Sequence, residues 1–251
     1  MKKYFSIFLL FLLGCRPGPQ LHARQWQTMG TAASVMWRAA EDQPFNGADQ
    51  VSNVFARVEK SLNRFDAQSE LSRLAPLPDV EILEKCDAEM RLCYETAFKL
   101  REESGGAFDP RWRGEGTLDL GAIAKGFAVD LAVETINVNI SKILIDLGGN
   151  LKVAGSESWK VGVANSDRSL TLTNGMACAT SAEYFRGKHI FDARTGLAVS
   201  NDLVSVTIVH PNSAMLADGL STVCFILGET EGEAFLRKFH PEATAVWVKR
   251  Q

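Results

Sequence analysis

The sequence predicts an α+β fold. Segments with helical spacing and segments with strand character alternate along the chain, no internal repeat or low-complexity linker interrupts them, and 46% of the residues are hydrophobic. The 251 residues suit one domain with a sizeable core, with room for two lobes of mixed sheet and helices. Trp26 to Ala39 reads as extended. Asp49 to Phe65 reads as a helix, because Val51, Val54, Phe55, Val58 and Leu62 fall on one face. Pro76 to Asp79 (PLPD) breaks the chain, and Glu81 to Ser104 reads as one long helix stopped by Gly105 and Gly106. Leu118 to Leu120 then reads as a strand end, Gly121 as a tight turn and Ala122 to Ile136 as a helix. Lys142 to Asp146 and Leu151 to Ala154 are strands around a Gly148–Gly149 turn. Trp159 to Ala164 and Leu170 to Thr173 are further strands, with Asn174–Gly175 as a hairpin signal. Val204 to His210 is a strand, Ala214 to Leu227 and Glu231 to Phe239 are helices, and Ala243 to Val248 closes the chain as a strand.

The first residues indicate where the protein works. Lys2 and Lys3 precede an apolar run, Tyr4 to Leu13, too short to span a bilayer and suited to the core of a secretory signal. Leu12-Leu13-Gly14-Cys15 resembles a bacterial lipobox, which implies cleavage before Cys15 and lipidation of its thiol. That divides the chain into a signal (1–15), a short tether (16–24) and a folded domain (25–251). The expected location is a bacterial membrane surface facing the periplasm or exterior, on a lipid anchor. Without Lys2 and Lys3 the chain carries 25 basic against 30 acidic side chains, and no basic stripe interleaved with aromatics, which argues against nucleic acid as a partner. Cys86, Cys93, Cys178 and Cys224 match neither a zinc site nor a dense disulfide framework, and read as buried small hydrophobes. Cys86 and Cys93 read as one helix, too far apart along it to bridge; a Cys178–Cys224 bridge is left open.

The run LDLGAIAKGFAVDLAVETI (Leu118–Ile136) carries the most chemistry. Free amides and the positive dipole end of its helix suit an anion, small residues at Gly121, Ala122, Ala124 and Gly126 permit close approach, and Lys125 adds a point charge. The same residues also suit an ordinary turn packed with small side chains. Asp218 and Thr222, four apart near the start of a helix, put a carboxylate and a hydroxyl on one face, a hard-donor pair suited to Mg²⁺ or simply to a helix N-terminus.

Eight blocks in order resemble the ApbE family of FAD:protein FMN transferases: MGT (Met29–Thr31), SLNRFDAQSELSRL (Ser61–Leu74), GGAFDP (Gly105–Pro110), LDLGAIAKGFAVD (Leu118–Asp130), IDLGGN (Ile145–Asn150), ATSAEYF (Ala179–Phe185), HIFDARTG (His189–Gly196) and LADGLST (Leu216–Thr222). The resemblance covers nearly the whole chain beyond the signal. It implies a single ApbE-like domain that uses Mg²⁺ to transfer FMN from FAD to a Thr or Ser hydroxyl of a partner protein, releasing AMP. Alternatives are a metal-dependent FAD pyrophosphatase yielding FMN and AMP, and a non-catalytic flavin-binding lipoprotein. The implied partners are flavin-acceptor subunits of membrane redox complexes of the Rnf or Na⁺-translocating quinone reductase type. Carried over by residue, the resemblance assigns Met29, Gly106, Ala107, Phe108, Asp119, Lys125 and Phe191 to FAD. It assigns Ala122, through its carbonyl, with Asp218 and Thr222 to the metal, and His189 with Asp218 to catalysis. Thr180, Ser181, Arg194, Thr195 and Gly196 are candidates to line the phosphate or acceptor groove.

Three departures stand out. Only RWRGEGT joins Pro110 to Leu118, where the family carries several dozen residues, which implies a reduced wall of the flavin pocket or docking surface. Ala182 stands where glycine is common, strained if that backbone needs a positive φ. Ala193 replaces the usual proline.

Overall fold

The structure, a computed structural model, describes residues 20–39, 47–136, 141–183 and 190–250. The chain opens with strands β1 (Gln20–Thr28) and β2 (Thr31–Ala39), followed by helices α1 (Gly47–Leu62), α2 (Glu70–Leu74), α3 (Asp79–Lys85), α4 (Ala88–Glu103) and α5 (Ala124–Thr135). Then come β3 (Lys142–Leu147), β4 (Asn150–Ala154), β5 (Trp159–Gly162), β6 (Ser169–Leu172), β7 (Ala177–Ala182), β8 (Phe191–Asp192), β9 (Leu197–Ala198) and β10 (Leu203–His210). Helix α6 (Ala214–Phe239) and strand β11 (Thr244–Lys249) complete it. Seven strands form one sheet in the order β1-β2-β3-β4-β7-β10-β11, every neighbouring pair antiparallel.

Period-two alternation sorts the side chains to two faces. Val35, Ile143, Ile145, Ala179, Val206 and Ile208 join the main core with α1, α4, α5 and α6, while Leu144, Val153, Cys178 and Val209 form a second cluster with Trp159 and Leu172 of the β5–β6 ribbon. Both faces of the central strands are therefore dry, which is why KILIDL reads as a nearly continuous apolar run. The main core runs without a break from β2 to α6, so the described residues form a single α+β domain.

Several elements differ from the sequence reading. Trp26–Ala39 is not one extended run: Met29 (φ 49°) and Gly30 (φ 67°) turn it into the β1–β2 hairpin. Gln20–Arg24, read as tether, belong to β1. The long helix at 81–104 is two, because Cys86 leaves α3 with extended φ/ψ and the Asp87 carboxylate caps α4 by accepting from the Met90 amide at 2.7 Å. Cys86 and Cys93 consequently lie on different helices, and Cys86, Cys93, Cys178 and Cys224 are free thiols whose burial pushes each up from its ordinary value; the Cys178–Cys224 bridge does not form. Leu118–Leu120 form no strand, and α5 begins at Ala124 after the turn Gly121–Ile123. Asn174–Gly175 does make a turn, with the Met176 amide donating to Thr173 O at 2.9 Å, yet it joins strands of different sheets, since β6 pairs with β5 and β7 with β4 and β10. The two helices expected at the C-terminal end are α6, broken where Gly228 adopts φ 77°.

The registers bring one end of the sheet together. Ala33 faces Leu147, Leu147 faces Asn150, Asn150 faces Ala179, and Ser205 faces Ala182, so the Met29–Gly30 turn, the Gly148–Gly149 turn and the end of β7 share an edge.

Candidate functional site

Helices α5 and α6 meet antiparallel at that end, and each receives a carboxylate from the other. Gly126 packs so closely on α6 that a Cβ there would lie 2.2 Å from the Ala214 carbonyl oxygen. Asp218 Oδ2 accepts from the Gly126 amide at 3.1 Å and from Lys125 Nζ at 3.3 Å. One turn along, Asp130 closes the start of α6. Its Oδ1 accepts from the Ala214 amide (2.8 Å) and Lys152 Nζ (2.7 Å), and its Oδ2 from the Met215 amide (2.9 Å) and Ser213 Oγ (3.0 Å). These bonds satisfy amides that a helix start otherwise leaves without partners.

Asp218 is only 6% exposed, and burial pushes its carboxyl above the ordinary value while Lys125 and the Gly126 amide pull it back. Lys125 Nζ also donates to Gly121 O at 2.9 Å, so the ammonium bridges the turn and the carboxylate. The open row of amides expected at this helix start is not there. Ile123 and Ala124 donate to Leu120 O at 3.0 and 2.9 Å, and Gly126 is taken by Asp218. The positive charge of the site is therefore concentrated on Lys125.

Hydroxyls gather beside it. Ser181 Oγ, at the end of β7, lies 2.8 Å from Ser221 Oγ and 3.3 Å from Thr222 Oγ1. Ser221 donates to the Asp218 carbonyl at 2.8 Å, and Thr222 does so at 3.4 Å. Thr180 faces away from this group, bonded to Thr207 at 2.7 Å. Ala182, in β7, does not adopt a positive φ, so the expected strain is absent.

Asp119 lies between two arginines and holds the first more closely. It accepts from the Gly121 amide at 3.0 Å and pairs with Arg64 at 3.0 Å and Arg113 at 3.7 Å. Arg64 in turn lies over Phe65, which is 80% exposed. Ala107 and Phe108 are buried, and the Ala193 amide donates to Ala107 O at 3.0 Å, tying the β8–β9 ribbon to the GGAFDP turn. A proline at 193 could not donate that bond, so this departure adds a tie. A Cβ on Gly106 would come within 3.9 Å of Arg194 Cγ, and Arg194 pairs with Asp192 at 2.6 Å, which holds that carboxyl below its ordinary value. The Phe191 ring stacks on Trp112, centroids 4.7 Å apart and planes 15° apart. Met29 packs against the main core from its hairpin turn. His189 and Cys15 lie outside the described residues.

Contacts thus link Phe191, Trp112, Arg113, Asp119, Gly121, Lys125, Asp218, Thr222 and Ser181 into one continuous group, with Gly106 and Ala107 joined to it through the β8–β9 ribbon. Sequence reasoning missed Arg64, Trp112, Arg113, Asp130 and Lys152. Asp130 ends the quoted LDLGAIAKGFAVD block and was legible as a motif residue. Lys152 had no signal, because a lysine in a strand ordinarily reads as solvent-facing.

The residues fit a hard divalent cation. Asp218 offers a buried carboxylate that already attracts an ammonium, Thr222 a hydroxyl, and the Gly121–Ile123 turn carbonyls, among them Ala122. Asn150 Oδ1, on the helix-facing side of β4, is buried without a hydrogen-bond partner, a further acceptor oxygen on the same face. Among the described residues no three His, Cys, Asp or Glu side chains cluster as a metal site.

The profile described as ApbE family matches residues 29–114 and 111–247. The chain belongs to the ApbE family. The two matched stretches meet inside the RWRGEGT link. A Treponema pallidum protein named FAD:protein FMN transferase is 33% identical over 158 residues, 52% of this chain and 43% of that relative. A Klebsiella pneumoniae protein of the same name is 38% identical over 149 residues, 53% of this chain and 46% of the relative. The alignments thus span less than half the length of these ApbE relatives. Among solved structures, the flavin transferase ApbE from Vibrio cholerae superposes with a TM-score of 0.77 at 20% identity, covering 93% of this chain and 94% of that one. The apo flavinyl transferase ApbE from Pseudomonas stutzeri gives 0.75 at 23% identity, covering 93% and 92%. At these identities the likeness establishes the ApbE fold.

Proposed function

We propose that this ApbE protein transfers FMN from FAD to a Ser or Thr hydroxyl of a partner protein, with Mg²⁺, releasing AMP. The observation that carries this reading is the buried Asp218 carboxylate held against Lys125 beside the Ser181–Thr222 hydroxyls, a compact pairing of cation-binding oxygens with a positive charge. The name shared by the relatives supports the substrate pair. Asp218, Thr222 and the Ala122 carbonyl would hold the cation, which when bound neutralises charge developing on the FAD phosphate oxygens. Lys125 adds a point charge to the same oxygens. The acceptor oxygen attacks the FMN phosphorus, the bond to the AMP phosphate breaks, and AMP leaves with the bridging oxygen. The acceptor proton passes to His189, a role assigned from the sequence alone. Asp119 positions Arg64 at the rim, Met29, Gly106, Ala107 and Phe108 wall the flavin side, and Phe191 backs it through Trp112.

We assign the acceptors to flavin-carrying subunits of membrane redox complexes of the Rnf or Na⁺-translocating quinone reductase type. The chain meets them from a lipid anchor at Cys15 on the periplasmic or exterior membrane face. No helix among the described residues is long and apolar enough to cross a membrane.

Intact-mass analysis of an acceptor domain incubated with the chain, FAD and Mg²⁺, with an EDTA control, tests the reaction. A metal-dependent gain of one FMN is expected, lost in Asp218→Ala. Free FMN and AMP without an adduct would replace this reading by FAD hydrolysis. FAD retained with no product would leave a flavin-binding lipoprotein.

A further inference from the structure

The RWRGEGT link between Pro110 and Leu118 is built rigidly. Arg111 spends its whole guanidinium on it: Nε and Nη2 donate to Asp79 Oδ1 at 3.1 and 2.8 Å, Nη1 to Ala75 O at 3.0 Å and Thr117 O at 3.1 Å, and Nη2 to Leu77 O at 3.1 Å. Tyr94 Oη donates to the same Asp79 oxygen at 2.7 Å. A planar fork engaged on five bonds holds its own backbone, and hence the next residue, in one place. That next residue is Trp112, stacked on Phe191 at 4.7 Å. Arg113 lies over the indole with its guanidinium carbon 4.2 Å from the ring centroid.

The Arg113 cover is weakly held. Its side chain is 43% exposed, and its ion pair with Asp119 is 3.7 Å long, beyond hydrogen-bond range. A flat heteroaromatic ring on an indole outweighs an exposed cation–π contact, so such a ring displaces the guanidinium. The displaced arginine stays within reach of Asp119. We propose that Trp112 is a ring-stacking residue of the flavin site, its indole taking the isoalloxazine of FAD where Arg113 now lies. This rests on the proposed function, because it presumes that FAD is the ligand.

The test uses the full chain with Mg²⁺ and FMN as probe, read by flavin fluorescence and by equilibrium dialysis, alongside Trp112→Phe and an AMP arm. Indole in contact with isoalloxazine quenches flavin emission, whereas a phenyl ring does not. The expected result is dark bound FMN in the native chain, and in Trp112→Phe bright bound FMN with about tenfold weaker affinity. Equal emission and equal affinity in the two chains, with FMN bound to both, would remove Trp112 from the site while leaving the FAD reading intact. Loss of AMP affinity alone would hand the indole to the adenine and overturn the assignment. If neither FMN nor FAD binds the native chain, the functional reading fails and this inference with it.

Discussion

Replacing Gly126 by alanine is the sharpest test of how the site is assembled. A Cβ at that position would lie 2.2 Å from Ala214 O, 2.6 Å from Ala214 C and 2.7 Å from Met215 Cα. Carbon contacts are comfortable near 3.5–4.0 Å, so α5 and α6 must separate by on the order of 1 Å. The obstructing atoms are backbone, which cannot rotate aside as a side chain would. Overpacking costs about 1–3 kcal/mol, and a backbone obstacle places this case near the top of that range. Alanine in place of glycine returns about 1 kcal/mol of helix propensity. The net loss is about 2 kcal/mol, a fall in Tm of roughly 4–8 °C for a domain of this size. Thermal melts followed by circular dichroism measure it, with Gly162→Ala as the control, since a Cβ there meets nothing within 4 Å. The control should stay within about 0.5 kcal/mol of the native chain. A Gly126→Ala protein that melts with the native one would refute the close helix contact and, with it, the placement of the Gly126 amide against Asp218.

Further outcomes follow from the same geometry. Asp130→Ala leaves the buried Lys152 ammonium unpaired and should cost about 3–5 kcal/mol in urea unfolding, with part recovered in Asp130→Ala/Lys152→Met; a cost below about 1 kcal/mol would contradict the clamp. Arg111→Lys keeps the charge but not the fork, and should cost about 1–2 kcal/mol, since half-exposed Asp79 screens part of the interaction. An unchanged urea midpoint would mean that the link is held by something else. His210 is buried, which lowers its pKa from the ordinary 6.5 although Glu242 raises it, and its Nδ1 accepts from the Asn212 and Ser213 amides at the start of α6. The unfolded chain therefore binds a proton that the folded chain refuses. The stability is fully present above about pH 6.5 and declines as the pH falls from there toward the lower folded value. His210→Asn should flatten that slope between pH 7.5 and 5.5 in urea titrations, and an unaltered slope would assign it to other groups.

How much of this was legible depends on the range of the interaction. Val51, Val54, Phe55 and Val58 mark α1 because helix burial repeats every three to four residues, and Val204–His210 reads as a strand because it is rich in β-branched residues. The break at Asp87 is not legible because apolar spacing continues across α3 and α4, which are separated by the extended backbone of Cys86 and the capping bond to Met90. Leu118–Leu120 looked like a strand because buried apolar residues look alike in a strand or a packed turn. Motif spacing leaves Asp218, Lys125 and Thr222 as candidates that the family resemblance selects, and the structure joins them through the Asp218 side chain and carbonyl.

The chain by itself determined the α+β class, most element positions and the residue types of the site, since these depend on local periodicity, turn chemistry and ordered motifs. The tertiary structure alone decided who bonds to whom. Lys125 and Asp218 are 93 residues apart and Asp130 and Ala214 are 84 apart, and no local pattern encodes such pairings. The same holds for Trp112 against Phe191: nothing in a seven-residue link announces a partner until the fold carries its indole onto a ring 79 positions away.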